Sequence, residues 1–264
     1  MTPSDGTYRE LEARWKALPA TRGLRVGEVP CDSSGRRLLV VELGSGVPRR
    51  TVSIAAGVHG DEPAGVWALL DLVETNALDS RFAYRIWPCT NPSGFAAATR
   101  ASADGVDVNR TFDGRGRSPE ARAMLSVGGP LSELSLDLHE DCDAEGFYCY
   151  EYGGGAIGRR VIEELVLRGF PIDPLDVTFG LAGPLDDAHC LREPGRVVAD
   201  ALREATLLGG LSYSLAMARA GAGHALTFET PLRAPWESRV AMHVAAVRTA
   251  VGALLEESDS APCN

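Results

Sequence analysis

The sequence predicts an α/β fold: a mixed central sheet of about eight strands, parallel and antiparallel, flanked by helices on both faces. Two observations predict it. Short apolar or alternating runs bounded by turn residues recur along the 264 residues, and several lead into stretches with a helical apolar period. A third observation locates the functional region: residues 90–118 lack any period and are rich in Asn, Gly, Asp and Arg, the character of a functional loop inside a compact domain. No internal repeat or linker divides the chain, so residues 1–257 are expected as a single domain.

In order along the chain, residues 8–17 read as a polar-faced helix. Residues 24–29 and 37–43 read as strands joined by the turn-rich Pro30-Cys-Asp-Ser-Ser-Gly35, an antiparallel hairpin. Residues 51–56 form a short buried strand. Residues 62–75 form a helix with Val66, Leu69, Leu70, Leu72 and Val73 on its apolar side. Residues 82–88 are a further strand. After the loop, Ser118 caps a helix with Pro119 at its first position. Residues 134–138 are a buried strand, 145–150 its neighbour, and 156–168 a helix behind a Gly-Gly-Gly hinge. Between 171 and 223 only one helix is indicated, near 196–206. Residues 224–229 are a last strand, 236–257 a closing helix, and 258–264 an unstructured tail.

Composition excludes several classes of function. At 45% hydrophobic and 23% charged residues the chain is ordinary globular protein. A formal charge of −10 argues against nucleic acid, which needs clustered Lys and Arg. No apolar run approaches the ~18 residues of a membrane span. The first residues lack a basic stretch followed by an apolar core, and six cysteines (31, 89, 142, 149, 190 and 263) show no Cys-x-x-Cys spacing. Reduced thiols and a cytoplasmic location are the expectation.

The chemistry-bearing stretch is Ser53-Ile-Ala-Ala-Gly-Val-His-Gly-Asp-Glu-Pro-Ala-Gly65. A strand runs into a small-residue turn that delivers His59 and Glu62. Imidazole nitrogen and carboxylate oxygen are the mixed ligands of a catalytic zinc, which takes three protein ligands and leaves one position for water. A third ligand has to come from elsewhere. His139, ending the strand Ser135-Leu-Asp-Leu-His-Glu140, stands where open α/β sheets place their sites.

The order and separation of these residues resemble the zinc carboxypeptidase family (carboxypeptidase A type), which includes the aspartoacylase and succinylglutamate desuccinylase branch. Asn91-Pro-Ser-Gly-Phe95 resembles the family's Asn-Pro-Asp-Gly-Tyr turn. Gly105-Val-Asp-Val-Asn-Arg110 is similar to its Gly-Val-Asp-Leu-Asn-Arg, and Thr227-Phe-Glu-Thr-Pro231 to the strand bearing its catalytic glutamate. The resemblance spans about residues 50–235. It implies one zinc ion per chain held by His59, Glu62 and His139, with Glu229 as general base. It further implies Arg100 at the developing oxyanion and Asn109 with Arg110 on a substrate carboxylate. A guanidinium suits bidentate carboxylate recognition, and a second one suits oxyanion stabilisation.

Tyr213 is the one tyrosine placed to act as the family's mobile, substrate-closing tyrosine. On the strand carrying Glu229, His224 points to the opposite face and is read as structural. Asp137 shares a face with His139 and is a candidate orienter of that ligand. Glu120 and Arg122 read as helix-surface residues, Cys142 and Cys149 as buried packing residues. His189 and His243 have no spacing partner. The segment 180–225, where a specificity pocket would form, matches no family pattern. The additional C-terminal domain of aspartoacylases is expected to be absent.

The implied activity is hydrolysis of an amide or peptide bond beside a free carboxylate, on a peptide or small-molecule substrate. An N-acyl amino-acid amidohydrolase of the aspartoacylase or desuccinylase type is the alternative, and a non-catalytic carboxylate-binding module the third class. No nucleic-acid or membrane partner is expected.

Overall fold

The computed structural model describes residues 2–31, 36–44, 50–127, 131–152, 155–174, 190–199 and 210–259. Its strands are β1 (Arg25–Pro30), β2 (Arg37–Leu43), β3 (Thr51–Ala56), β4 (Ala83–Trp87), β5 (Leu134–Asp141), β6 (Tyr148–Tyr152), β7 (Cys190–Glu193), β8 (Arg196–Ala199) and β9 (His224–Pro231). All belong to one nine-stranded sheet of order β1-β2-β4-β3-β5-β9-β6-β8-β7. The inner strands β4, β3, β5 and β9 run parallel, whereas β1 with β2, β2 with β4, β6 with β9 and β7 with β8 are antiparallel. The mixed α/β sheet is thus the expected one, with a strand more than the sequence suggested.

The extra pairing lies where a helix was expected near 196–206. Arg196-Val-Val-Ala199 is a strand, returned from β7 by the tight Pro194-Gly195 turn with Gly195 at φ +73° and stitched to β6. Two adjacent β-branched valines suit that role. Residues 200–206 and His189 lie outside the described residues.

The helices are α1 (Asp5–Ala17), α2 (Ala64–Glu74), α3 (Pro92–Ala97), α4 (Pro119–Ser126), α5 (Ile157–Leu167), α6 (Tyr213–Ala220) and α7 (Trp236–Asp259). α1 begins earlier than expected because Ser4 and Thr7 form a reciprocal capping box. α4 starts as read, with the Ser118 hydroxyl accepting from Ala121 N at 3.0 Å. Glu120, however, is buried and accepts from the Ser118 hydroxyl at 3.0 Å while facing Arg36. Cys142 is likewise exposed rather than packed, whereas Cys149 is buried. The aperiodic stretch 90–118 holds a short helix, α3, and a 3-10 turn at Val108–Arg110. The segment 171–223 hid α6, which has Ser212 as N-cap and Gly221 at φ +98° after its last turn. α7 runs to Asp259, two residues into the expected tail, and residues 260–264 lie outside the described residues. Among the described residues no helix is long and apolar enough to cross a membrane.

Strand alternation sorts the central sheet into two faces. Val52, Ile54, Leu134, Leu136, Leu138, Leu226 and Phe228 pack into one core with residues of α1, α2, α5 and α7. The other face carries Ser53, Ser135, Asp137, His139, Thr227 and Glu229. It is covered by α4, α6 and the 90–118 segment, with a second core around Trp87, Phe112, Met124, Tyr213 and Leu215. Register places His139 beside Glu229 at the carboxyl ends of β5 and β9.

Candidate active site

β3 ends at Ala56, and Gly57 at φ +62° turns the chain so that His59 and Glu62 rise over the end of β5. The turn lies directly on α3: a Cβ at Gly60 would sit 1.9 Å from the carbonyl carbon of Gly94. Any side chain at residue 60 would push the histidine off its place.

His59, Glu62 and His139 converge and are all buried. Glu62 Oε1 lies 2.6 Å from His59 Nδ1, and Oε2 lies 2.8 Å from His139 Nδ1. The two Nδ1 atoms therefore face one another across a carboxylate, the donor set of a catalytic zinc. Their Nε2 atoms meet carboxylates, His59 with Asp107 at 3.3 Å and His139 with Asp137 at 3.1 Å. A carboxylate on the outer nitrogen keeps the proton there and leaves Nδ1 free for a metal. Burial works against charge on Glu62 and Asp107. The imidazoles outweigh it and hold both carboxyls well below the usual range, with Arg100 and Arg110 assisting at Asp107. The residues present fit a zinc ion.

A further layer fixes Glu62 from behind. Glu140 N donates to Glu62 Oε2 at 3.1 Å, and Glu140 Oε1 accepts from Ala64 N, the first residue of α2, at 2.7 Å. Arg239 on α7 pairs with the other oxygen of that buried carboxylate. Burial pushes the Glu140 pKa up to about 7 in spite of Ala64 N and Arg239. His243, also on α7, is fully buried and shares a hydrogen bond with the Thr230 hydroxyl at 3.2 Å.

The remaining predicted residues fall in two groups. Arg100 stands at the mouth, half exposed, with Nη1 3.2 Å from His59 Nδ1 and Nη2 donating to Asp107 at 3.2 Å. Its carbonyl is held by the Asn91 side chain at 3.2 Å, so the Asn-Pro-Ser-Gly turn positions this arginine. Arg110 is half-buried beside it, with Nη1 donating to the Asn109 carbonyl at 3.0 Å. Glu229 stands one strand from His139 and keeps some exposure to solvent. Burial, reinforced by Glu62, Asp141 and Asp137, raises its pKa well above the usual carboxylate range against the opposing charge of His139.

Two predicted residues sit deeper than a substrate contact would. Asn109 is buried, its Oδ1 accepting from Tyr213 N at 3.1 Å and its Nδ2 lying 3.4 Å from His139 Nε2. Tyr213 is not at the mouth at all. It is the first residue of α6, is buried against Phe112, and shares a hydrogen bond with Ser53 Oγ at 2.6 Å. The closing role expected for Tyr213 is therefore withdrawn, because a fixed, fully packed ring has no free path over the site. His224 faces away, as expected, and pairs with Glu257 at 3.1 Å.

A family model of the succinylglutamate desuccinylase/aspartoacylase catalytic domain matches residues 48–152, the stretch that supplies all three candidate ligands. Solved structures share the whole architecture. A Shewanella baltica protein described as a candidate metallopeptidase superposes with a TM-score of 0.74 at 20% identity, covering 94% of this chain and 91% of that one. A Shewanella denitrificans counterpart gives 0.72 at 21% identity, covering 94% and 89%. A Burkholderia cenocepacia metallo-carboxypeptidase gives 0.66 at 20% identity, covering 96% of this chain and 69% of that one. No curated protein matches the chain.

The chain shares the fold of these metallopeptidase and metallo-carboxypeptidase structures, and its residues 48–152 are similar to the desuccinylase/aspartoacylase catalytic domain. Among the described residues the buried candidate metal group is His59, Glu62 and His139. Sequence reading missed Asp107, Glu140 and Arg239. Asp107 had a signal, since it lies inside the Gly-Val-Asp-Val-Asn-Arg motif two residues before Asn109. Glu140 and Arg239 had none, being 99 residues apart and joined only by the fold.

Proposed function

We propose that the protein is a zinc-dependent hydrolase that cleaves an amide bond beside a free carboxylate. The observation that carries this reading is the convergence of His59 Nδ1 and His139 Nδ1 on Glu62, with Glu229 one strand away on the same face. His59, Glu62 and His139 would hold one zinc ion, which when bound supplies Lewis-acid polarisation and lowers the pKa of water from 15.7 to about 7. Glu229 takes a proton from the attacking water and delivers it to the leaving amine, a task suited to a carboxyl whose pKa lies above the ordinary range. Arg100 stabilises the developing oxyanion from the mouth of the site. Arg110 binds the substrate carboxylate, and Asn109 holds the layer beneath through Tyr213 N and His139.

The family match over 48–152 favours a second reading, hydrolysis of an N-acyl amino acid. Both readings use the same zinc and clamp. The full chain, loaded with one equivalent of zinc, is to be assayed on a peptide panel and on an N-acyl amino-acid panel. Release of a C-terminal residue supports peptide cleavage, and release of the acyl acid supports the second reading. Turnover that survives complete zinc removal overturns both. Zinc uptake without turnover on either panel favours a carboxylate-binding module.

A further inference from the structure

A second pocket opens on the site-bearing face of the sheet, one row of residues below the candidate metal group. It lies between α4 and α6 over β3 and β4 and has a volume of about 160 Å³. That is close to the ~150 Å³ of a cavity able to hold benzene. Its inner end is polar: the Arg85 guanidinium and the paired hydroxyls of Ser53 and Tyr213 line it. Its walls are apolar, formed by the buried Trp87 and Met124 with Met217. At its lip stand Leu125 and Leu131, 41% and 56% exposed, two of only four exposed large hydrophobic residues among those described.

Arg85 gives the pocket its charge. One terminal nitrogen donates to Glu42 at 3.3 Å, but the buried Nε–H has no hydrogen-bond partner. The Nε–H is sealed from solvent, but the Arg85 side chain as a whole stays 22% exposed, and a guanidinium edge with neighbouring hydroxyls suits a carboxylate. An apolar tail of about six carbons would then lie along Trp87, Met124 and Met217 and cover the exposed leucines.

We propose that this pocket between α4 and α6 binds a small monocarboxylate with a short apolar tail, its carboxylate on Arg85, Ser53 and Tyr213. The pocket is separate from the Arg100 and Arg110 side of the candidate active site, so the proposal stands whichever substrate class the zinc site takes. Its inner wall is nonetheless part of the same layer, since Tyr213 N donates to Asn109 Oδ1 at 3.1 Å.

The test is calorimetric titration of the zinc-loaded full chain with hexanoate and, as the neutral control, 1-hexanol. Hexanoate is expected to bind at least tenfold more tightly than the alcohol. Arg85→Met and, independently, Met217→Trp, which fills the cavity from its helical wall, are each expected to weaken hexanoate at least tenfold with zinc content unchanged. Met217→Trp keeps the test decisive should Arg85→Met perturb the sheet. Absence of hexanoate binding at millimolar concentration overturns the proposal, as does equal affinity for the alcohol. Hexanoate binding lost in Arg110→Met but intact in Met217→Trp also overturns it, because the carboxylate would then occupy the active site.

Discussion

On one face of the central sheet Leu134, Leu136, Leu138, Leu226 and Phe228 are buried under α2, α5 and α7. One position along in the same strands, Ser135, Asp137, His139, Thr227 and Glu229 face α4, α6 and the 90–118 segment. Both faces are covered, but they are covered for different ends. The first buries apolar side chains, the dominant favourable term in folding. The second buries polar groups, which cost free energy wherever they lack partners, and here they meet one another: Asp137 lies 3.1 Å from His139 Nε2 and Ser53 2.6 Å from the Tyr213 hydroxyl. The contrast teaches that stability and chemistry are divided by a single residue of strand register. The apolar face can support the polar face because both are carried by the same backbone.

Glu229→Gln and Phe228→Ala, adjacent in sequence, test that division most directly. Glu229→Gln is expected to lower turnover by about 10²–10⁴-fold, with melting temperature and zinc content near those of the parent. Normal turnover in this variant removes Glu229 as the base. Phe228→Ala, on the fully buried face against Phe147, is expected to cost about 3–5 kcal/mol in denaturant unfolding. A loss below 1 kcal/mol would show that the apolar face is not where stability is concentrated. Asp137→Asn probes the layer between, 3.1 Å from His139. Zinc affinity measured by chelator competition is expected to fall about 10–100-fold, and unchanged affinity would leave Asp137 no orienting part.

The smallest effect concerns the apolar side of the sheet near its end. Burial holds the fully enclosed His243 neutral, its pKa pushed down to about 3. The unfolded chain protonates this histidine near 6.5 while the folded chain does not, so stability falls as pH drops below 6.5 towards 3. Between pH 7 and 5.5 the expected loss is about 1 kcal/mol, and His243→Asn should flatten that slope in unfolding measured against pH. An equal slope in the variant would assign the acid sensitivity to other groups.

Much of this was legible in the sequence, for reasons that are local. β2 and β3 have the expected bounds because their runs are apolar or alternating and their ends are turns. The start of α4 was readable because Ser118 and Pro119 are cap chemistry within one turn. β6 begins three residues beyond the expected start, because the backbone just before it is taken up by a bridge between Phe147 and Ile172, a pairing distant in sequence. α6 was missed although Ser212 and Gly221 mark its ends, because an eight-residue helix offers little period to read. Tyr213 was assigned by position alone, and the packing on Phe112 that disqualifies it depends on residues a hundred positions away.

The sequence by itself determined the α/β class, the His59-x-x-Glu62 turn, the strand-end His139 and the register that puts Glu229 on the site face. Those depend on periods of two and 3.6 and on spacings of a few residues, which the chain states directly. Only the tertiary structure decided that both Nδ1 atoms meet at Glu62, that Asp107 and Asp137 hold the outer nitrogens, and that Tyr213 is sealed beneath the site. It alone joined Arg239 to Glu140 and set Arg85 against a pocket between α4 and α6. Distances between side chains far apart in sequence are set by packing of whole elements, and no local pattern encodes them.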